Sequence, residues 1–362
     1  NSDNSTSFKP LISVGNRDVE TGDLSIYLSS KGNPTLRWEK TGTLNLGIDY
    51  SLFQGKLYGK IDLYNKHGKD ILTSVSIPMV TGSDQEKMNN AEMLNQGIEL
   101  EFGTNQRITK DVSWNGNLNF SYNRNKVEKL YITSYYASSL TYGAEVEGKD
   151  ANSMWVYRYA GIQNMGSETS PNMQPVLYGE DDGLYPLGEY LNGNGLNFMK
   201  NAGTRVAPYT LGLSNSFTYK NFDLSFVFTG EFGHKFLRSG FNYPSSDERN
   251  LPNAQLSQVF ANGKPLRGID AIELPYDEND YDYSNWRTNY MDYMVADAWN
   301  VRLREVNLSY QFPKSLMSKL NLNRVVAYAQ ATTCSPLRVQ KRIPSLHVDH
   351  HVCCLHIHLD LS

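Results

Sequence analysis

Cysteine is absent from the first 333 of the 362 residues, and all three cysteines (Cys334, Cys353, Cys354) fall near the end of the chain. A disulfide framework therefore cannot organise the body. No run of about 18 apolar residues occurs, which excludes an ordinary membrane-spanning helix. An excess of one charge is missing too. Lys+Arg 34 against Asp+Glu 38 leaves a net charge of −4, too balanced for a nucleic-acid partner held by its phosphates. No G-x-S-x-G elbow, phosphate-cradling loop or H-E-x-x-H is found, so nothing points to an enzyme or to a cofactor. The opening NSDNSTSFKP is polar, lacks a starting Met and shows no charged-then-apolar leader. It leads us to expect a piece of a longer chain.

What is abundant is aromatic residues, 12% of the chain with Tyr alone supplying 24, and Asn at about one residue in ten. Tyr and Phe favour strands while Asn and Gly favour turns, so the mixture indicates an all-β protein with many loops. Period-two segments about ten residues long carry this out. TLNLGIDYSL puts Leu44, Leu46, Ile48, Tyr50 and Leu52 on one face and Asn45, Asp49 and Ser51 on the other. GIELEFG sets Ile98, Leu100 and Phe102 against Glu99 and Glu101, and WNGNLNFSYN sets Trp114, Leu118, Phe120 and Tyr122 against Asn115, Asn117 and Asn119. YTLGLSNSFTY and FDLSFVFTGEF follow one another across Lys220-Asn221, a link short enough to be a tight hairpin. In VRLREVNLSYQF the parity slips between Leu303 and Val306, which predicts a β-bulge near Glu305.

Between these segments lie polar stretches at about 125–153, 163–205 and 234–298, too long for the connections of a compact domain. Short turns alternating with long loops suit an antiparallel transmembrane β-barrel, with tight periplasmic turns and extended surface loops. Aromatics near strand ends (Tyr50, Trp114, Tyr122, Tyr209, Tyr219, Tyr310) would then form girdles at the two rims. A soluble or surface-displayed β-sandwich that binds carbohydrate alternates in the same way and stays open as a second reading. The two differ in what the apolar faces touch: hydrocarbon in one, a second sheet in the other.

Several phrases resemble the C-terminal barrel region of SusC/RagA-type TonB-linked outer-membrane proteins. NPTLRWEKT (Asn33 to Thr41), running into LNLGIDYSLFQGKLYGKIDLYNKHGKDIL, is similar to that family's Asn-Pro-x-Leu-x-Trp-Glu lead-in, strand and Lys-Asp-Leu turn. NAEMLNQGIELEF resembles the next signature, and WVYRYAGI, PYTLGLSNSFTYKNFDLSF and DAWNVRLREVNLSYQFP look like later landmarks in the family's order. The resemblance covers 33–331, preceded by a lead-in at 1–32. It implies roughly nine strands of a barrel of about 22, incomplete by itself, in the outer membrane of a Gram-negative cell. It also implies import of oligosaccharide or peptide with a SusD-like lipoprotein as lid, and energy from the TonB system through an N-terminal region lying upstream.

The end of the chain differs from the rest. Five of the seven histidines lie from His347 onward, no aromatic follows Tyr328, and neither Asn nor Gly follows Asn323. The family would continue after AYAQAT with Asn-Leu-Phe. One allowed choice of codons for TTCSPLRVQKRI, with a single adenine inserted after the first triplet, reads Thr-Asn-Leu-Phe-Thr-Thr-Thr-Gly-Ser-Lys-Ala-Tyr. We therefore expect 332–362 to be out of frame or unstructured. His347, His350, His351, Cys353 and Cys354 match no ordered zinc spacing, and any metal they take is expected to be adventitious.

Tyr281, Tyr283 and Trp286, in the acid- and aromatic-rich YDENDYDYSNWRTNYMDYM, are the candidates for stacking on a sugar or touching the lid; a solvated surface loop is the plainer reading. Asp277, Asp280 and Asp282 lack the Gly and final Glu of a Ca²⁺ loop. The stretch Tyr178 to Gly195 is read as a similar surface loop. Glu99, Glu101, Asp223 and Glu231 should line the inner wall, paired with Lys and Arg. His67 and His234 stand in turn-like settings.

Overall fold

The computed structural model describes residues 10–332 except 19, 31, 77–84, 133, 187–190, 192, 239–259, 262–263, 266–289, 321 and 323–324, and it describes 354–361 at the end. A hairpin of β1 (Leu11–Arg17) and β2 (Leu24–Ser30) stands apart. A meander follows: β3 (Lys40–Leu52), β4 (Leu57–Ser76), β5 (Gln85–Arg107) and β6 (Val112–Lys129). The chain then builds a four-stranded sheet, ordered β10-β7-β8-β9, from β7 (Ser153–Asn164), β8 (Met173–Tyr178), β9 (Leu184–Pro186) and β10 (Met199–Thr204). It returns through β11 (Tyr209–Tyr219) and β12 (Phe222–Phe232). Short ribbons β13 (Lys235–Leu237), β14 (Phe260–Ala261), β15 (Lys264–Pro265) and β16 (Val295–Asp297) precede β17 (Asn300–Gln311), β18 (Val325–Thr332) and β19 (Cys354–Leu361).

Nine of these strands form one antiparallel sheet, ordered β19-β18-β17-β12-β11-β6-β5-β4-β3, whose outer strands β3 and β19 do not meet. It is an incomplete barrel wall. No helix among the described residues is long and apolar enough to cross a membrane. The ladder through the middle of the wall is unbroken. Ile98, Tyr122 and Tyr209 share one row; Leu100, Phe120 and Leu211 share the next; Phe102, Leu118 and Leu213 the one below. In these rows the alternate positions put their apolar residues on one face, which is what period-two patterning imposes once register is set.

Among the described residues nothing covers that apolar face. Leu44 is 73% exposed and Leu46 61%, with Ile48, Leu63, Phe102, Leu224 and Leu308 also exposed. A sandwich would have buried these residues against a second sheet; the large buried cluster lies elsewhere, among the loop residues. The β-sandwich reading is thereby set aside. Hydrocarbon is the environment that such a face fits, since it needs no second layer.

Aromatic pairs mark the two borders of the apolar band. Near the short turns, Trp114 stacks on Phe217 with ring centroids 6.2 Å apart, and Phe222 lies 4.5 Å from Tyr310. Toward the long loops, Tyr122 stacks on Tyr209 at 4.9 Å. The Trp114 indole N–H donates to Asn215 Oδ1 at 3.0 Å, satisfying a polar side chain on the apolar face. From Tyr209 to Tyr219 the strand rises about 33 Å, and a tilt near 40° reduces this to about 25 Å of height, the thickness of an outer-membrane apolar band. β4 has 20 residues and β5 has 23, so both rise well above that band.

Two local expectations hold in detail. Lys220 and Asn221 alone connect β11 to β12, the ladder closing on Tyr219 and Phe222. Lys220 takes the left-handed backbone (φ 52°) that two-residue hairpins require. The bulge in β17 falls where Val227 pairs with Glu305 but Phe228 pairs with Leu303, leaving Arg304 as the extra residue.

Two expectations need revision. The stretches at 125–153 and 163–205 are not plain loops. The four-stranded sheet lies within them, and Tyr135, Leu140, Val146, Trp155, Tyr157, Leu177, Phe198, Met199, Met291 and Met294 form a hydrophobic core. β8, β9 and β10 have six, three and six residues, too few to show a long alternation. The segment 332–362 is also not structureless throughout. Cys354–Leu361 pairs with β18 along its whole length, Leu361 opposite Val325 and Cys354 opposite Thr332. The alternation of Leu355, Ile357 and Leu359 with His356, His358 and Asp360 gives that stretch a strand period.

An Arg placed on the apolar face at mid-height should cost about 2–4 kcal/mol of folding stability in bilayers. L213R is expected to show this as a lower folded fraction in vesicle-refolding titrations. N119R, one residue from the same level but on the opposite face, should refold like the parent.

Candidate functional site: the inner face of the wall

The face opposite the apolar band carries the polar half of each strand. A concavity of about 530 Å³ is lined there by Lys60, Asp62, Glu99, Glu101, Asn119, Ser121, Thr210, Thr229, Glu231 and Arg304. Alternation puts them together: Lys60 is in register with Asp49 and Glu101, Asp62 with Glu99, and Glu99 with Ser121. The expectation that Glu99, Glu101, Asp223 and Glu231 face inward is met for the three glutamates, which line this concavity.

The partners of these acids differ from those expected. Glu101 accepts from Asn117 Nδ2 at 2.9 Å, and Glu231 from Asn300 Nδ2 at 2.9 Å. Asp223 accepts from the hydroxyls of Thr218 (2.6 Å) and Ser309 (3.4 Å). Lys60 pairs with its strand neighbour Asp62, Nζ to Oδ2 2.9 Å, and Arg304 donates to the Thr229 hydroxyl at 3.0 Å. The physical reason is supply. The inward positions of adjacent strands are occupied mainly by Asn, Ser and Thr, so amides and hydroxyls stand opposite the carboxylates. The result is a wall of hydrogen-bond donors and acceptors with an acidic bias. Its described lining carries neither His nor Cys.

Above the band, the lead-in segment is strapped to the wall through asparagines. Buried Asn33 accepts from the Thr35 N–H (2.8 Å) and hydroxyl (2.6 Å) while its amide donates to the Lys87 carbonyl at 2.9 Å. Asn89 does more. Its carbonyl accepts from Arg37 N–H at 2.7 Å, and its amide donates to the carbonyls of Arg37 (2.8 Å) and Asp70 (2.6 Å). Asp70 has a left-handed backbone (φ 56°) where the β4–β5 register shifts. Its carboxylate meets Arg37 at 3.0 Å and Lys40 at 3.1 Å. The hydrogen bond from Lys40, helped by Arg37, holds this carboxyl below the usual carboxylate range. The Asn-Pro-x-Leu-x-Trp-Glu phrase is thus a clamp. Its Trp38 is 79% exposed and takes no part in it.

In the loop layer Arg158 ties together Tyr178, Gly179, Asp182 and Phe198. It donates to the carbonyls of Phe198 (3.0 Å) and Gly179 (2.9 Å), pairs with Asp182, and lies 5.4 Å from the Tyr178 ring centre. Tyr281, Tyr283 and Trp286, like Asp277, Asp280 and Asp282, lie outside the described residues, as do His347, His350, His351 and Cys353; Cys354 begins β19. The end of the aromatic segment is described, and it is packed rather than solvated. Tyr290 O accepts from Tyr157 N–H at 2.8 Å, Asp292 Oδ1 from Tyr159 N–H at 3.2 Å, and the Tyr293 ring meets Tyr159 edge-on at 5.0 Å. Burial there pushes the Tyr293 phenol up. Neither solitary histidine sits in a simple turn: His67 is inside β4, and the His234 carbonyl accepts from Ala298 N–H at 2.9 Å. Sequence reading missed Asn33, Asn89, Arg158 and Arg304. Asn33 opens the NPTLRWEKT phrase, whereas only the frequency of Asn hinted at Asn89.

With this geometry established, similar proteins are informative. No family model matches the chain. TonB-dependent receptor P3 of Formosa agariphila is 26% identical over 326 residues, covering 87% of this chain and 31% of the receptor. TonB-dependent receptor SusC of Bacteroides thetaiotaomicron is 27% identical over 354 residues, covering 92% of this chain and 32% of SusC. The chain is homologous to the SusC-type TonB-dependent receptors. A solved structure of the RagAB peptide importer in its open-open state superposes with a TM-score of 0.70 at 21% identity, covering 93% of this chain and 35% of that one. This likeness confirms the fold. The chain spans about a third of the length of the curated relatives it matches, so the nine strands are part of an outer-membrane barrel wall.

Asn89→Ala should remove three hydrogen bonds at once and cost about 1–3 kcal/mol, read as a lower midpoint in urea unfolding from detergent micelles. Because the Asp70 carboxyl is depressed in the fold, its contribution is complete above about pH 4 and is lost as pH falls through the lowered value. D70N should therefore flatten the acid limb of the stability profile while leaving neutral-pH cooperativity intact.

Proposed function

We propose that this chain is the wall portion of a nutrient importer that takes up oligosaccharide or peptide across the outer membrane. A lipoprotein of the SusD kind closes its outer side. The observation that carries the reading is the two-sided sheet: an uncovered aliphatic and aromatic face backed by a wall of amides, hydroxyls and carboxylates, in a homologue of SusC. A polyhydroxyl or polyamide solute passing such a wall exchanges water hydrogen bonds for many weak ones. That is what conduction requires: attraction enough to enter and weak enough to leave. Coupling to TonB is assigned to parts of the protein other than these residues. RagAB is a peptide importer, which supports the peptide half of the substrate class; likeness to SusC supports the family's other substrate class. Tyr281, Tyr283 and Trp286 are proposed to stack on the incoming solute. The segment from 333 onward is proposed to be translated out of frame, which the bases around that codon decide.

The test is growth on a single nutrient. Disrupting the gene should abolish growth on one class of polymer-derived oligosaccharides or peptides and leave growth on the corresponding monomers unchanged. Co-purification from detergent-solubilised outer membranes should recover a lipoprotein at near-equal stoichiometry. Unchanged growth on every such nutrient, or a solitary protein, would remove the importer reading.

A further inference from the structure

On the apolar side of the wall, above the hydrocarbon level, three adjacent strands bring together one imidazole and two carboxylates. His67 stands on β4, Glu92 on β5 and Glu128 on β6. His67 is four residues beyond Leu63, whose row ends on Tyr122 at the aromatic border. That is about 13 Å further along the strand. The cluster therefore stands at or above the polar headgroups and not among acyl chains.

From its distances and its unused hydrogen-bonding capacity, we infer that His67, Glu92 and Glu128 form a binding site for a divalent first-row transition cation, with Zn²⁺ the natural occupant. His67 Nε2 lies 3.0 Å from Glu128 Oε2 and 3.3 Å from Glu92 Oε2, and the three donor atoms all fall within 4.8 Å of one another. Four-coordinate zinc with nitrogen and oxygen ligands at about 2.0–2.1 Å has ligand-to-ligand edges of about 3.3 Å. The two edges from the imidazole nitrogen are thus already close to those of a tetrahedral face. A second observation is independent of those lengths. Nε2 is shielded from solvent yet makes no hydrogen bond, although a carboxylate oxygen is within reach on either side. The imidazole does not direct its N–H at either acid. An orphaned ring nitrogen between two carboxylates is explained by an occupant that accepts its lone pair. Mg²⁺ or Ca²⁺, which prefer oxygen, would leave the imidazole idle, whereas a nitrogen donor favours the zinc end of the series.

The site's position suggests its role. The ladder is interrupted at this height: register shifts occur between Gly68 and Ile71 on β4 and between Glu92 and Met93 on β5. The regular backbone ladder is thus interrupted beside the three ligands. A cation bound by all three strands would replace the missing cross-strand links and neutralise two neighbouring carboxylates. Three protein ligands leave the fourth position to water or to an anionic oxygen from outside.

Metal binding to the complete protein in detergent micelles tests this, after chelator dialysis and with Zn²⁺ and Co²⁺ as probes. Titration calorimetry should give one saturable Zn²⁺ equivalent that H67Q and, separately, the double variant E92Q/E128Q weaken at least tenfold. Both variants should retain the heat-modifiable gel mobility of a folded barrel. If H67Q loses that mobility, the double variant decides alone, because carboxamides keep the shape of the acids. Bound Co²⁺ must lack the thiolate charge-transfer band that Cys334, Cys353 or Cys354 would produce, which separates this site from adventitious binding at the end of the chain. No Zn²⁺ uptake by the parent, unchanged affinity in the folded variants, or a thiolate band for the only bound Co²⁺ would overturn the proposal.

Discussion

Everything in this wall depends on one constraint: in hydrocarbon, a backbone N–H or C=O has no partner except another strand. The ladder through Ile98, Tyr122, Tyr209 and Phe232 and the rows below it satisfies that demand without a gap. Once the pairing is in register, side-chain placement is no longer free. Alternate residues must meet lipid and the others must meet the bore. That is why Leu44 and Leu46 can be among the most exposed aliphatic residues of the described chain without being misplaced. It is also why carboxylates such as Glu99 and Glu101 are tolerated deep in a membrane protein: their face is the wet one.

Where the constraint ends, the architecture changes. Above Tyr122 and Tyr209 the ladders shift register, Asp70 turns left-handed, and side-chain amides take over from backbone pairs. Asn33 and Asn89 fasten the lead-in, and Asn125 donates to Asn95 at 3.0 Å while accepting from Ala151 N–H at 3.2 Å. An amide offers both donors and acceptors on a short side chain, so it can close exactly the kind of mixed gap that a bulge opens in water-accessible strands. The abundance of Asn has a structural cause. The loop layer, freed from lipid, builds the conventional core that the wall lacks, with Tyr157, Leu177, Phe198 and Met291 at its centre.

The phrases that announce the family are therefore mostly mechanical. NPTLRWE clamps the lead-in, the Lys69-Asp70-Ile71 irregularity inside β4 offers the clamp its anchor, and Glu99 and Glu101 line the inner wall. None of them addresses a particular solute. They solve the problem of building and holding the wall.

Much was legible beforehand. Period-two alternation is a local property, so it gave strand positions, the two faces, the Lys220-Asn221 hairpin and the β17 bulge from the chain alone. Short-range turn chemistry and the direction of each side chain need no long-range information. Tertiary structure alone decided what lay across from what. Amides and hydroxyls bonded to Glu101, Glu231 and Asp223, Asn89 bridging Arg37 and Asp70, the core within the polar loops, and His67 placed between Glu92 and Glu128 all join residues from separate strands or distant segments. Register and loop packing set such pairings, and neither leaves a periodic mark on the sequence.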